Sequence, residues 1–212
     1  MSSIAKFIAA ALLAIAVMAS AIYLARSTGY EKGYAQGWRD ARPALVYPEV
    51  RSIFTSQQAA QFGKADTLIV GDSHIEQTRL DEACGRTFAA GIGGARVAEP
   101  LSIMDELMAT LDPETVVVAI GANYFASTDQ YDRFVEEYPD LLDAAGDARL
   151  ILVGTPAFER GSAFIRAEAE RRGAIFVNPP DGPFIEDGIH YALEGTKALR
   201  EAITEACNRS TQ

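Results

Sequence analysis

Five short apolar runs rich in β-branched residues recur along the chain: TLIVG (67–71), TFAAG (87–91), TVVVAIG (115–121), RLILVGT (149–155) and AIFVNP (174–179). Longer segments with helical spacing separate them: VAEPLSIMDELMATL (97–111), DQYDRFVEEYPDLLDAAG (129–146) and FERGSAFIRAEAERRG (158–173). The strand-like runs are apolar at consecutive positions rather than alternate ones, so both faces must be covered. Strand and helix in alternation, with strands buried on both sides, predict an α/β domain. The expected architecture is a three-layer α/β/α sandwich around a parallel, flavodoxin-like sheet of about five strands. A last helix, ALEGTKALREAITEAC (192–207), closes it.

The N-terminus follows other rules. FIAAALLAIAVMASAIYLA (7–25) carries no charge, with Lys6 before it and Arg26 after it. Its length approaches the ~20 residues that cross a bilayer core, which predicts a transmembrane helix. A signal peptide cut after Ala19-Ser20-Ala21 is the competing reading, because those residues have the small-x-small pattern. The apolar run continues through Ile22, Tyr23 and Leu24, which favours the anchor. Either reading places the domain outside the cytoplasm, anchored and facing the periplasm or cell exterior, or secreted after cleavage. The expected division is 1–26 anchor or signal sequence, 27–65 juxtamembrane stalk or linker, and 66–212 folded domain. Gly29, Gly33 and Gly37 recur every four residues, with Ala41 next in the series. On a helix they form a small-residue ridge that could support self-association. A plain linker is the competing reading, and Pro43 and Pro48 are expected to end any helix there.

The net charge of −10 excludes a nucleic-acid binder, since phosphate neutralisation needs an excess of Lys and Arg. Two cysteines suit an oxidising compartment.

Ligands of open parallel sheets bind at the carboxyl ends of the strands. Four clusters fall there: Gly71-Asp72-Ser73-His74, then GIGGAR (91–96), then GANYF (121–125), then EDGIHYALEG (186–195). A serine hydroxyl needs a base, and the chain has two histidines, His74 and His190. The side chain of His74 is expected about 100° away from that of Ser73 on a helix start, at the surface or pocket rim. His190 lies on the correct rim, three residues after Asp187, which can hold its ring in one tautomer. Asp72 is expected to hydrogen-bond the local backbone. The predicted catalytic set is Ser73, His190 and Asp187. Developing negative charge calls for donors, and the backbone N–H of Ser73, a glycine N–H after the second strand and the Asn123 amide can supply them. No metal site is expected, because two histidines lack a third ligand at suitable spacing. The Gly-Asp-Ser cluster lacks the Gly-Lys-Ser/Thr ending of a phosphate loop, and no cofactor is expected.

GDS, a glycine-rich turn, GxN and DGIH, in that order after successive strands, together resemble the SGNH/GDSL hydrolase superfamily. The resemblance covers residues 66–208. It implies Ser73, Gly94, Asn123 and His190 as the four marker residues, with Asp187 completing the triad, and an oxyanion hole of Ser73, Gly94 and Asn123. Gly94 is preferred to Gly91 and Gly93 because the marker glycine closes such a turn. In two places the chain departs from the pattern. Tyr124 stands where Gly-x-Asn-Asp has its Asp, and GDSH replaces GDSL. GDSH is similar to the version in SGNH domains attached to membrane sugar acyltransferases. Tyr124, Phe125 and Tyr131 could line a pocket or pack in the core.

Helices from Ser73 to Cys84 and from His190 to Cys207 would both run away from the active rim, which predicts a Cys84–Cys207 disulfide. The resemblance implies a serine ester hydrolase of small acyl esters, such as O-acetyl groups on sugars, or of lipid and thioester substrates. Location tilts the reading toward acylated envelope polysaccharide. Two alternatives are an O-acyltransferase acting on such polysaccharide with a membrane partner, and a non-catalytic membrane-tethered binding module. A pocket blocked by Tyr124 would favour the module.

Overall fold

A computed structural model describes residues 47–124 and 128–209. The expected anchor, the glycine ridge and Phe125 lie outside the described residues. Among the described residues no helix is long and apolar enough to cross a membrane.

The elements alternate as expected: α1 (Tyr47–Phe62), β1 (Thr67–Gly71), α2 (Ser73–Gln77), β2 (Thr87–Gly91), α3 (Ala98–Leu111), β3 (Thr115–Ala119), a 3-10 turn (Ala122–Tyr124), α4 (Thr128–Asp143), β4 (Arg149–Val153), α5 (Glu159–Arg172), β5 (Ile175–Val177) and α6 (Leu193–Asn208). The five strands form one sheet in the order β2-β1-β3-β4-β5. Every pairing is parallel. In β1, Leu68 and Val70 point into one core with Val116, Val118, Met104, Leu107 and Phe134. Ile69 points into the other with Val117, Ile151, Leu199 and Ile203. The two-residue period of a strand thus splits one apolar run between two cores, and helices cover both faces.

Two local readings are corrected. Residues 47–62, within the segment read as stalk or linker, form α1, a helix in the same compact unit as the sheet. Pro48 sits in the first turn of α1, where the N–H it lacks has no intrahelical partner, so it opens this helix instead of ending it. The buried side of α1 is Pro48, Ser52, Thr55, Ser56 and Ala59, while Ile53 and Phe54 are exposed. No apolar stripe marks it in the sequence. The second correction concerns the helix at Ser73. It ends at Gln77, not near Cys84. The Thr78 hydroxyl donates to the carbonyl of His74 at 2.6 Å, and the Thr78 N–H to that of Ile75, closing the helix after barely more than one turn.

Cys84 lies instead in a turn beside the start of β1, where the Thr67 hydroxyl donates to its carbonyl. Helix α6 carries Cys207 to the same end of the sheet, and the two are joined as a disulfide with Cα atoms 5.7 Å apart. Closing a loop with 123 residues of separation is worth about 5 kcal/mol in the chain-entropy treatment.

Candidate active site

The strand β1 ends at Gly71, and the chain turns at once into α2. Asp72 is the N-cap of that short helix. The turn is tight because neighbouring backbone comes very close: a Cβ on Gly91, at the end of the adjacent β2, would collide with the Glu76 backbone. Glycine is therefore required for α2 to fold back over the strand ends. This places the Ser73 hydroxyl at the carboxyl rim, largely buried but not sealed.

The loop before α6 brings the second half of the site. His190 Nε2 lies 2.9 Å from Ser73 Oγ. Its Nδ1 lies 2.6 Å from Asp187 Oδ2. The other oxygen of Asp187 accepts the backbone N–H groups of Ile189 and His190, each at 2.9 Å. The ring of His190, then those N–H groups, hold the Asp187 carboxyl down at about 2, from an ordinary 3.8. Asp187 is thus an anion through the working range. With Nδ1 donating to it, Nε2 is left as the acceptor facing the serine hydroxyl.

The other two predicted donors lie in the segments that follow β2 and β3. Gly94 has φ +73°, a left-handed conformation that glycine adopts without a Cβ penalty. Asn123 sits in the 3-10 turn after β3, and its Nδ2 donates to the Ala95 carbonyl at 2.8 Å. An amide nitrogen has two N–H groups, so this bond fixes the side chain and leaves its second hydrogen to point elsewhere. Tyr124 adds a second tie to the same loop. Its hydroxyl accepts from the Val97 N–H at 2.8 Å and donates to Glu137 Oε2 at 2.6 Å. Burial, then the Glu137 bond, push the Tyr124 hydroxyl far up from its ordinary value. Tyr124 is fully buried against Phe134, so it packs in the core and does not block a pocket. Tyr131 lies under the Arg160 guanidinium at 3.7 Å and beside Phe158.

Several nearby residues were not singled out in the sequence. Glu76 accepts from Tyr47 Oη at 2.5 Å and from Arg51 Nε at 3.0 Å. A Cβ on Gly93 would meet the Glu76 carboxylate and the Tyr47 ring, so the start of α1 walls the glycine turn. The strongest difference is at His74. It was expected at the surface or rim, but it is buried at 5% exposure. Its Nδ1 lies 2.9 Å from Asp72 Oδ1 and its Nε2 3.0 Å from the Ile189 carbonyl. Asp72 does bond the backbone as expected, accepting from His74 N at 3.1 Å and Ala122 N at 3.2 Å. Among the described residues, no group of three or more His, Cys, Asp or Glu side chains could hold a metal.

No family model matches the chain. No curated protein matches it either. Solved structures do. A GDSL-like lipase from Bacteroides thetaiotaomicron is 20% identical, with a TM-score of 0.60 over 74% of this chain and 96% of that one. A catalytic mutant of an acetylxylan esterase from Geobacillus stearothermophilus is 16% identical, with a TM-score of 0.58 over 70% of this chain and 97% of that one. A lipase/acylhydrolase from Enterococcus faecalis is 19% identical, with a TM-score of 0.54 over 66% of this chain and 93% of that one. This chain has the fold of the SGNH/GDSL hydrolases.

Proposed function

We propose that the protein is a serine ester hydrolase in which Ser73 is the nucleophile, His190 the general base and Asp187 the group that orients and charge-balances His190. The observation that carries this reading is the unbroken line from Ser73 Oγ to His190 Nε2 at 2.9 Å and from His190 Nδ1 to Asp187 at 2.6 Å. His190 takes the hydroxyl proton as Ser73 Oγ bonds to the acyl carbon. The carbonyl oxygen becomes an oxyanion, for which the Ser73 and Gly94 N–H groups and the Asn123 amide are the donors. His190 then protonates the departing alcohol oxygen as its bond to the acyl carbon breaks. Water, deprotonated by the same ring, attacks the acyl-enzyme, and the acid leaves as Ser73 regains its proton.

Hydrolysis rather than transfer is favoured by exposure. The side chains of His190 and Asp187 are 28% and 40% exposed, so water reaches the base freely. The neighbours in fold include an acetylxylan esterase and lipase/acylhydrolases, which supports small acyl esters as the substrate class. The apolar run at 7–25 and the Cys84–Cys207 pair support a membrane-anchored, extracytoplasmic enzyme. Acylated envelope polysaccharide then lies within its reach.

The test is p-nitrophenyl acetate hydrolysis by the full chain beside its Ser73→Ala variant. Turnover that vanishes in the variant is expected. Equal rates in two folded proteins would overturn the reading.

A further inference from the structure

The site contains a second Asp–His pair that the proposed reaction does not use. His74 is held between two acceptors, the Asp72 carboxylate at 2.9 Å and the Ile189 carbonyl at 3.0 Å. A carbonyl oxygen can only accept, so Nε2 must carry a proton. Asp72 already receives the N–H groups of His74 and Ala122. These two backbone donors favour the charged carboxylate, which places the shared proton on Nδ1. Both ring nitrogens then carry hydrogen, and His74 is an imidazolium. Asp72, Asp187, His190 and Tyr191 are the titratable groups that face it: Asp187 acts through its charge, the His190 ring centroid is 5.8 Å away and that of Tyr191 5.3 Å.

The atom it grips matters. Ile189 precedes His190, and its N–H donates to Asp187. The Ile189 residue is therefore held at its N–H by Asp187 and at its carbonyl by His74. The rest of this turn bonds to itself, through Ile185 N to the His190 carbonyl and Gly188 N to the Ile185 carbonyl. Among the described residues, two hydrogen bonds join residues 185–190 to the β1 rim: Ser73 to His190 and His74 to Ile189. The first must be broken and remade in every turnover, because it carries the proton being transferred. The second takes no part in proton transfer and can persist throughout.

We propose that His74 is a positioning residue for the hydrolysis: a charged clasp that ties the loop carrying His190 to the end of β1 and keeps base and nucleophile in register. Its kinetic consequence rests on the reading of Ser73 and His190 as nucleophile and base. Its protonation does not.

Two measurements on the full chain test it. The first uses 15N-histidine labelling, since the chain has only two histidines and a His190→Gln variant assigns the signals. At about pH 7 both ring nitrogens of His74 should carry protons, above the ordinary titration point near 6.5. A bare Nε2 on His74 overturns the clasp whether or not the enzyme hydrolyses anything. The second compares His74→Asn with His74→Gln. The Asn amide stands where Nδ1 was and can still reach Asp72, but not Ile189. The Gln amide reaches the Nε2 position and can still donate to Ile189. For p-nitrophenyl acetate, H74N should lose roughly 10- to 100-fold in kcat with KM little changed, the cost of a lost charge-assisted bond expressed as misplacement of the base. H74Q should recover most of that loss. Wild-type kcat in H74N, or an H74Q no better than H74N, overturns the proposal. Failure of the triad reading looks different: Ser73→Ala would keep the wild-type rate while the nitrogen signals of His74 stay doubly protonated.

Discussion

Two aspartate–histidine pairs lie side by side at the carboxyl end of this sheet, with opposite surroundings. In Asp72–His74 the side chains are 3% and 5% exposed, whereas in Asp187–His190 they are 40% and 28% exposed. The chemistry of the two pairs is the same and their bond lengths differ little, so environment and third partner separate their roles. The far nitrogen of His74 meets a carbonyl, which can only accept, and the ring is locked in the charged form. The far nitrogen of His190 meets a hydroxyl, which can give up a proton. The histidine proposed to cycle its proton thus lies next to a hydroxyl at the water boundary, and the one proposed to hold a loop lies between two acceptors in the interior.

The sharpest way to break this comparison is to remove each member of the open pair. Ser73→Ala or His190→Ala should lower kcat for p-nitrophenyl acetate by about 10⁴-fold or more, as removal of a nucleophile or base does elsewhere. Asp187→Asn should cost about 10³- to 10⁴-fold in kcat, because the ring loses its orienting charge. Its unfolding midpoint should move little, since the pair is open to water. The corresponding change in the buried pair, Asp72→Asn, should do the reverse in stability. It leaves a buried imidazolium without its anion, at a cost of about 3–5 kcal/mol in denaturant unfolding. If both variants lose stability alike, the contrast between the pairs is wrong.

The pH dependence sharpens the comparison further. Burial pulls the His74 ring down, but the Asp72 hydrogen bond and charge and the Ile189 carbonyl outweigh it, so its folded value lies above the ordinary 6.5. A raised histidine contributes stability that is fully present below the unfolded value and is lost as pH rises through the folded one. The stability gap between wild type and His74→Phe should therefore be full below the ordinary 6.5 and narrow as pH rises above it. Asp187 has the opposite sign. Its depressed value, about 2 against 3.8, gives a contribution present above 3.8 and lost as pH falls through about 2. Denaturant titrations at several pH values should show the His74 loss toward high pH, and at most a small Asp187 loss at low pH because water screens that open pair.

The smallest expected effect concerns the loop that carries Gly94. Tyr124→Phe keeps the ring packed on Phe134 but leaves Val97 N and Glu137 without their shared hydroxyl. Roughly 1–3 kcal/mol of stability should be lost. A kcat effect larger than the stability effect would show that the loop is held for the oxyanion.

Much of this molecule is legible in sequence for a physical reason. A parallel strand covered on both faces must be apolar at successive positions, and TLIVG, TFAAG and TVVVA announce themselves that way. Ser73, Asp187 and His190 were readable because the carboxyl ends of such strands converge, and because Asp-x-x-His lets one carboxylate meet both the ring and the backbone. What was hidden depended on partners distant in sequence or on an unusual face. Helix α1 buries Ser52, Thr55 and Ser56, whose side chains carry no apolar signal, and Ser52 and Thr55 satisfy their hydroxyls on the carbonyls of Pro48 and Arg51. His74 acquires its partner 115 residues later, and no local spacing reveals that contact. Tyr124, a departure from the common motif, is explained only by Glu137 on α4 and the Val97 N–H.

The central claim is that Ser73 becomes acylated with His190 as its base. The most direct measurement is peptide mass spectrometry of the full chain, rapidly quenched in acid during turnover of p-nitrophenyl acetate. One acetyl group is expected on the peptide containing Ser73 in wild type, and none in His190→Ala quenched at the same time. Acetylation that is absent from Ser73 during turnover, or that forms as fast without His190, would contradict it.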